Sequence, residues 1–114
     1  MTRKPKMLQF LRKLQEVQCK YIDTVILDIR VRNYRDDMTL AINACFISET
    51  RTEKEEDGSD SPYIANLALY SFYSVKENKA NLDTFIKDVK CENQLILANS
   101  FKSCKNLKEL ERAE

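Results

Sequence analysis

The sequence contains no histidine. Histidine is the side chain that most often moves protons near neutral pH, so its absence removes the commonest general acid or base. Glycine occurs once, as Gly58 within the acidic stretch ETRTEKEEDGSDSP, which excludes the glycine-rich loops whose backbone cradles phosphate. No serine or cysteine sits in a nucleophile-elbow pattern. The four cysteines, Cys19, Cys45, Cys91 and Cys104, form no C-x-x-C pair. A zinc site would need all four thiolates drawn from distant segments, so reduced, mostly buried thiols are expected instead. No apolar run approaches the roughly 20 residues that span a bilayer. The basic start MTRKPKMLQFLRKLQEVQ is interrupted by Arg12 and Lys13 and lacks a following small-residue cleavage site, so it does not fit a signal peptide. A net charge of +1 supplies no global field toward nucleic acid or an anionic membrane. The expectation is a cytoplasmic, non-enzymatic protein with no cofactor, no metal, no nucleic-acid partner and no membrane insertion.

What is present suits one globular domain over residues 1–114, with 43% hydrophobic and 32% charged residues. Met7, Phe10, Leu11, Leu14, Val17 and Tyr21 recur at three- and four-residue steps, predicting an amphipathic helix behind Pro5. The pattern then changes to period two. Val25, Leu27, Ile29 and Val31 alternate with Thr24, Asp28, Arg30 and Arg32, with Ile26 the exception on the polar side, which predicts a strand over Val25–Val31. The turn NYRDD leads to a second strand, Leu40–Phe46. Tyr34 beside Arg30, Arg32 and Arg35 makes a small basic and aromatic patch, diluted by Asp36 and Asp37. Residues Glu49–Pro62 read as a flexible acidic loop that lacks the ligand order of a calcium-binding EF-hand. A third strand is expected over Ile64–Phe72. Two helices follow, one in NLDTFIKDVK and a last one in ENQLILANSFKSCKNLKELERAE, whose main face is Leu97, Phe101, Cys104 and Leu107. The fold class is α+β, a small antiparallel sheet of three to four strands packed by helices on one face.

The third strand poses the functional question. In SPYIANLALYSFYSVKEN, the residues Tyr63, Ala65, Leu67, Leu69 and Tyr73 point one way, while Ile64, Ala68, Tyr70 and Phe72 point the other. The last helix also begins with apolar groups nearly all round, at Leu95 and Ile96. Helices on one side of a small sheet cannot bury both surfaces. The remainder calls for another polypeptide, either a second copy or a client.

The run from Tyr63 to Lys108 resembles the C-terminal half of the SecB family of protein-export chaperones. In that family an aromatic strand end is followed by a helix, and an asparagine precedes the apolar start of a long helix. Phe72 and Val75 stand at the strand end, one residue further apart than in the family pattern, and Asn93, Leu95 and Ile96 match the helix entry. The Pro-Tyr-Ala-Arg sequence of the family is replaced at Ala98, Asn99 and Ser100, and the N-terminal helix has no counterpart. The resemblance implies a four-stranded sheet, with the fourth strand drawn from the end of the first helix. It also implies a dimer of dimers that holds non-native chains in apolar grooves without ATP. Tyr70, Phe72, Leu95 and Ile96 are the expected client-binding or oligomer-interface residues. The alternative is a small structural or adaptor protein that forms a fixed oligomer, such as mobile elements carry.

Overall fold

The computed structural model describes residues 2–35 and 38–112, with side chains through residue 100. Five elements follow one another: α1 (Lys4–Lys20), β1 (Asp28–Tyr34), β2 (Thr39–Lys54), β3 (Asp60–Tyr70) and α2 (Val75–Arg112). The strands form one antiparallel sheet in the order β1-β2-β3. The α+β class holds. The sheet has three strands among the described residues, and the fourth strand implied by the SecB resemblance is not formed. The segment that would supply it is helical to Lys20 and then turns, because the Met7–Val17 stripe is satisfied by helical packing.

Alternation along the strands decides which face is dry. Leu40, Ile42, Ala44 and Phe46 of β2 and Ala65, Leu67 and Leu69 of β3 point inward, where they meet Met7, Phe10, Leu14 and Val17 of α1. From α2 come Leu82, Phe85, Ile86 and Val89, at helical spacing. Phe46 and Phe85 close the centre with rings 5.9 Å apart. Both helices therefore cover the same face. The other face presents Arg30 and Arg32 from β1, Asn43, Cys45 and Ile47 from β2, and Ile64, Asn66 and Tyr70 from β3, and no described element lies over it.

Several sequence expectations change. The first strand starts at Asp28, three residues later than expected; Val25 and Leu27 enter the core ahead of it, whereas Val31 is left 49% exposed. The third strand ends at Tyr70, so Phe72 lies in the turn that follows. The two expected C-terminal helices are one continuous helix of 38 residues. The side chains of Phe101, Cys104 and Leu107 lie outside the described residues. The three described cysteines are free and none is fully buried: Cys19 and Cys91 are exposed and Cys45 is half-buried.

The expected loop Glu49–Pro62 is largely strand. β2 runs to Lys54 and β3 starts at Asp60, so the loop proper is Glu55–Ser59. It closes through the Glu55 amide on the Ser59 carbonyl (2.8 Å) and the Gly58 amide on the Glu55 carbonyl (3.0 Å). Gly58 has φ 84, a conformation that side chains resist. This tip touches no core. Replacing Glu55–Ser59 by an Asn-Gly turn should move stability by less than about 1 kcal/mol, since loop closure entropy depends only weakly on length. A larger fall in the urea midpoint would show that the tip has a structural role.

Candidate functional site

Among the described residues two apolar surfaces stand out, one at the end of β3 and one beside the middle of β2. At the first, Tyr70 and Phe72 stack with centroids 4.9 Å apart, and Tyr73 meets both edge-on, at 5.1 Å and 4.9 Å. The turn bearing these rings is fixed by Thr2, whose amide donates to the carbonyls of Ser71 (2.7 Å) and Tyr73 (2.9 Å) and whose hydroxyl donates to that of Tyr73 (2.6 Å). Ser74 caps α2, its hydroxyl accepting from the Glu77 amide at 3.1 Å. Phe72 remains 51% exposed. Tyr70 also borders a shallow depression of about 660 Å³ on the outer sheet face, shared with Arg30, Arg32, Tyr34, Asn43 and Asn66. Arg30 pairs there with Asp28 at 3.3 Å.

The second surface arises from a mismatch in strand length. β1 starts at Asp28, opposite Cys45, so β2 from Phe46 onward has no strand beside it on that side among the described residues. Thr24–Ile26 bends past this open edge and leaves a notch of about 360 Å³ lined by Val25, Ile26, Phe46, Ile47, Glu49 and Glu92. Ile26 is 80% exposed and Ile47 62%, so the rim of the notch is apolar and wet. The Thr24 hydroxyl donates to Asn93 Oδ1 at 2.6 Å, which ties this bend to α2.

Below the notch lies a polar cluster with a definite structural cause. Between Ile47 and Thr52 the β2–β3 register shifts, and Ser48–Arg51 bulge out of the ladder. Their amides need other acceptors. Glu92, 1% exposed, reaches in from α2. Its Oε2 accepts the Glu49 amide at 2.8 Å, and its Oε1 accepts the hydroxyls of Ser48 (2.6 Å) and Thr50 (2.7 Å). Ser48 Oγ accepts the amides of Thr50 (3.1 Å) and Arg51 (2.9 Å). Arg51 lies with its Nε 3.5 Å from Glu92 Oε1 and its guanidinium carbon 4.5 Å from the centre of the Tyr63 ring. Burial alone would raise the Glu92 carboxyl. The hydrogen bonds from Ser48, Thr50 and Glu49 and the charge of Arg51 outweigh it, holding the group below its ordinary 4.5. The Tyr63 hydroxyl donates to Asp88 Oδ2 at 3.0 Å, and its pKa is raised above 10.0 by burial and by that carboxylate. Every acceptor of the cluster is committed to the fold, so it reads as the anchor of the bulge.

The four residues expected to form one surface are divided between the two. Tyr70 and Phe72 sit at the entry to α2. Leu95 and Ile96 lie 20 residues further along it, about 30 Å away at the helical rise. They follow Glu92 by about one turn and do not line the notch; Leu95 is 37% exposed, and Ile96 packs partly on the core. Sequence reasoning marked Ile26 only as an exception to the alternation and gave Ile47 no role, although each is an apolar residue on the polar side of an alternating run. Glu92 and Arg51 gave no such signal. Among the described residues no group of three or more acidic or cysteine side chains could hold a metal ion, and no helix is long and apolar enough to cross a membrane. No family model, curated protein or solved structure matches the chain.

Proposed function

We propose that the protein is a SecB-like, non-enzymatic binding protein that holds extended, non-native polypeptide without ATP. The observation that carries this reading is the notch at the unpaired half of β2. An open strand edge offers backbone donors and acceptors to an extended chain, and flanking apolar side chains offer shallow pockets to its alternate residues. Ile26 and Ile47 supply those side chains, and the 37%-exposed Leu95 lies one turn beyond Glu92 on α2. Binding of this kind is broad in sequence, because few directional side-chain contacts are involved, and modest per unit area, because the client loses conformational freedom.

A second reading, a fixed adaptor or homo-oligomer in the cytoplasm, is favoured by the length of α2. Its 38 residues amount to about 57 Å of helix, and beyond Glu92 it carries Leu95 and the 54%-exposed Leu97.

The two readings differ in a simple assay. A chemically unfolded model client is diluted into buffer with a several-fold excess of the protein, and aggregation is followed by light scattering. A delay without nucleotide is expected. Ile26→Ser with Ile47→Ser should abolish most of it while leaving the urea midpoint near wild type, since both side chains are already in water. Absence of delay, or a delay indifferent to the serine pair, would turn the argument toward the adaptor.

A further inference from the structure

A net charge of +1 conceals a strong segregation of charge. The solvent side of α1 carries Lys4, Arg12, Lys13 and Lys20, with Arg3 at its N-cap, against the single acid Glu16. The exposed side of α2 alongside it adds Lys76, Lys79, Lys87 and Lys90 against Glu77 and Asp83. The acids are concentrated elsewhere, at the hairpin tip with Glu53, Glu55, Glu56, Asp57 and Asp60. Where α1 and α2 meet there is a groove of about 440 Å³. Lys13, Lys20, Lys87 and Lys90 stand along it, Glu16 and Asp83 also reach it, and Val17 and Ile86 form its floor. None of the four lysines forms an ion pair among the described residues.

We propose that this groove between the two helices docks an acidic polypeptide segment, as a surface separate from the β2 notch. Complementary charge and the shape of the groove favour such a segment. Lys13 and Lys20 are two turns apart, about 10 Å along α1, and with Lys87 and Lys90 they spread positive charge along the groove, so a chain bearing successive carboxylates can meet more of them than one small anion can. The lining does not suit nucleic acid. It contains no arginine to fork onto phosphate. Its one ring, Tyr21, is half-buried against the core, with the Lys20 ammonium 5.5 Å from its centroid, so little ring surface is open for a base to stack on. A membrane surface fits no better. The apolar side chains here, Val17 and Ile86, are 9% and 7% exposed beneath the lysines, so nothing projects for insertion. Glu16 and Asp83 give the groove a mixed pattern that disfavours a uniformly charged chain and favours one with apolar or basic residues between its carboxylates.

The test uses the full chain and a fluorescein-labelled peptide rich in alternating Glu and Leu, followed by anisotropy. Binding is expected, and it should weaken about tenfold when salt is raised from low ionic strength to about 0.5 M. Lys13→Glu with Lys87→Glu should weaken it by about tenfold or more, while the helical circular-dichroism signal and the client-holding activity of the notch are retained. The opposite pair, Glu16→Lys with Asp83→Lys, should tighten binding, a gain that a damaged fold cannot produce. The proposal is overturned if the peptide does not bind or if the charge reversals leave binding unchanged. It is equally overturned if single-stranded DNA or phosphatidylserine vesicles bind the lysines more tightly than the peptide does, or if the lysine reversal instead abolishes a salt-sensitive self-association seen by sedimentation.

Discussion

Glu92→Leu should cost roughly 3 to 5 kcal/mol of folding stability, the range found when one partner of a buried charged network is removed. Leucine fills a similar volume, so the loss is electrostatic in origin and leaves little cavity. The Glu49 amide and the hydroxyls of Ser48 and Thr50 would lose their acceptor. The guanidinium of Arg51, already with Nε and Nη2 buried and without hydrogen-bond partners, would lose the carboxylate beside it. Urea denaturation measures the effect. Glu92→Gln separates charge from shape: one side-chain oxygen can still accept while the charge is gone, so its cost should fall between wild type and leucine. The acid limb gives an independent check. Because the folded carboxyl titrates below its ordinary 4.5, its stabilising contribution is complete above that value. The contribution declines as pH falls below 4.5 and is lost once pH passes the lower folded value. In Glu92→Gln this part of the acid sensitivity should disappear. A leucine variant with an unchanged urea midpoint would mean that the bulge does not depend on α2.

The same residues explain how far the fold was legible. Period-two alternation marks Leu40, Ile42, Ala44 and Phe46 as one face, and the sheet obeys it. Past Phe46 the composition turns polar and the alternation ends, so Glu49–Arg51 read as loop. The strand continues there because Glu92, more than 40 residues away in sequence, satisfies the bulged amides, and no local pattern carries such a contact. Glu92 and Asn93 misled in the opposite direction. Polar residues between Val89 and Leu95 suggest a break between two helices. In the structure the helix runs through, with Glu92 turned to the bulge and Asn93 to Thr24. The candidate site suffered from the same blind spot. The apolar character of Tyr70, Phe72, Leu95 and Ile96 was readable, but their separation follows from α2 being continuous. The open edge of β2 depends on where β1 begins, and the continued alternation of Val25 and Leu27 concealed that boundary.

Asn78→Leu is the second substitution with a large expected effect, about 3 kcal/mol or more, because several buried polar groups lose partners at once. Asn78 is wholly buried where α2 begins. Its side-chain amide imitates a strand neighbour: Oδ1 accepts the Tyr70 amide at 3.2 Å, and Nδ2 donates to the Tyr70 carbonyl at 2.9 Å. Nδ2 also donates to Thr2 Oγ1 at 2.9 Å, so the chain start, the end of β3 and the first turn of α2 meet at one side chain. Leucine preserves the volume but offers none of these bonds, leaving the Tyr70 amide without the Asn78 acceptor in a dry site, while the Tyr70 carbonyl keeps only the Tyr73 amide, at 3.0 Å. Asn78→Asp keeps an acceptor for the Tyr70 amide, yet places carboxylate oxygen against the Tyr70 carbonyl, and it should destabilise at least as much at neutral pH. Lowering the pH toward the carboxyl's titration should recover part of that loss, since a protonated oxygen can again donate; the leucine variant should show no such recovery. The consequences also extend to the aromatic surface. Tyr70, Phe72 and Tyr73 are held by the turn that Thr2 and Asn78 fasten. In a variant still folded by far-ultraviolet circular dichroism, the near-ultraviolet tyrosine signal should fall, because the stacked and edge-on rings would lose their fixed geometry. A full near-ultraviolet signal and an unchanged urea midpoint in Asn78→Leu would show that the turn is held by Thr2 and Ser71 alone.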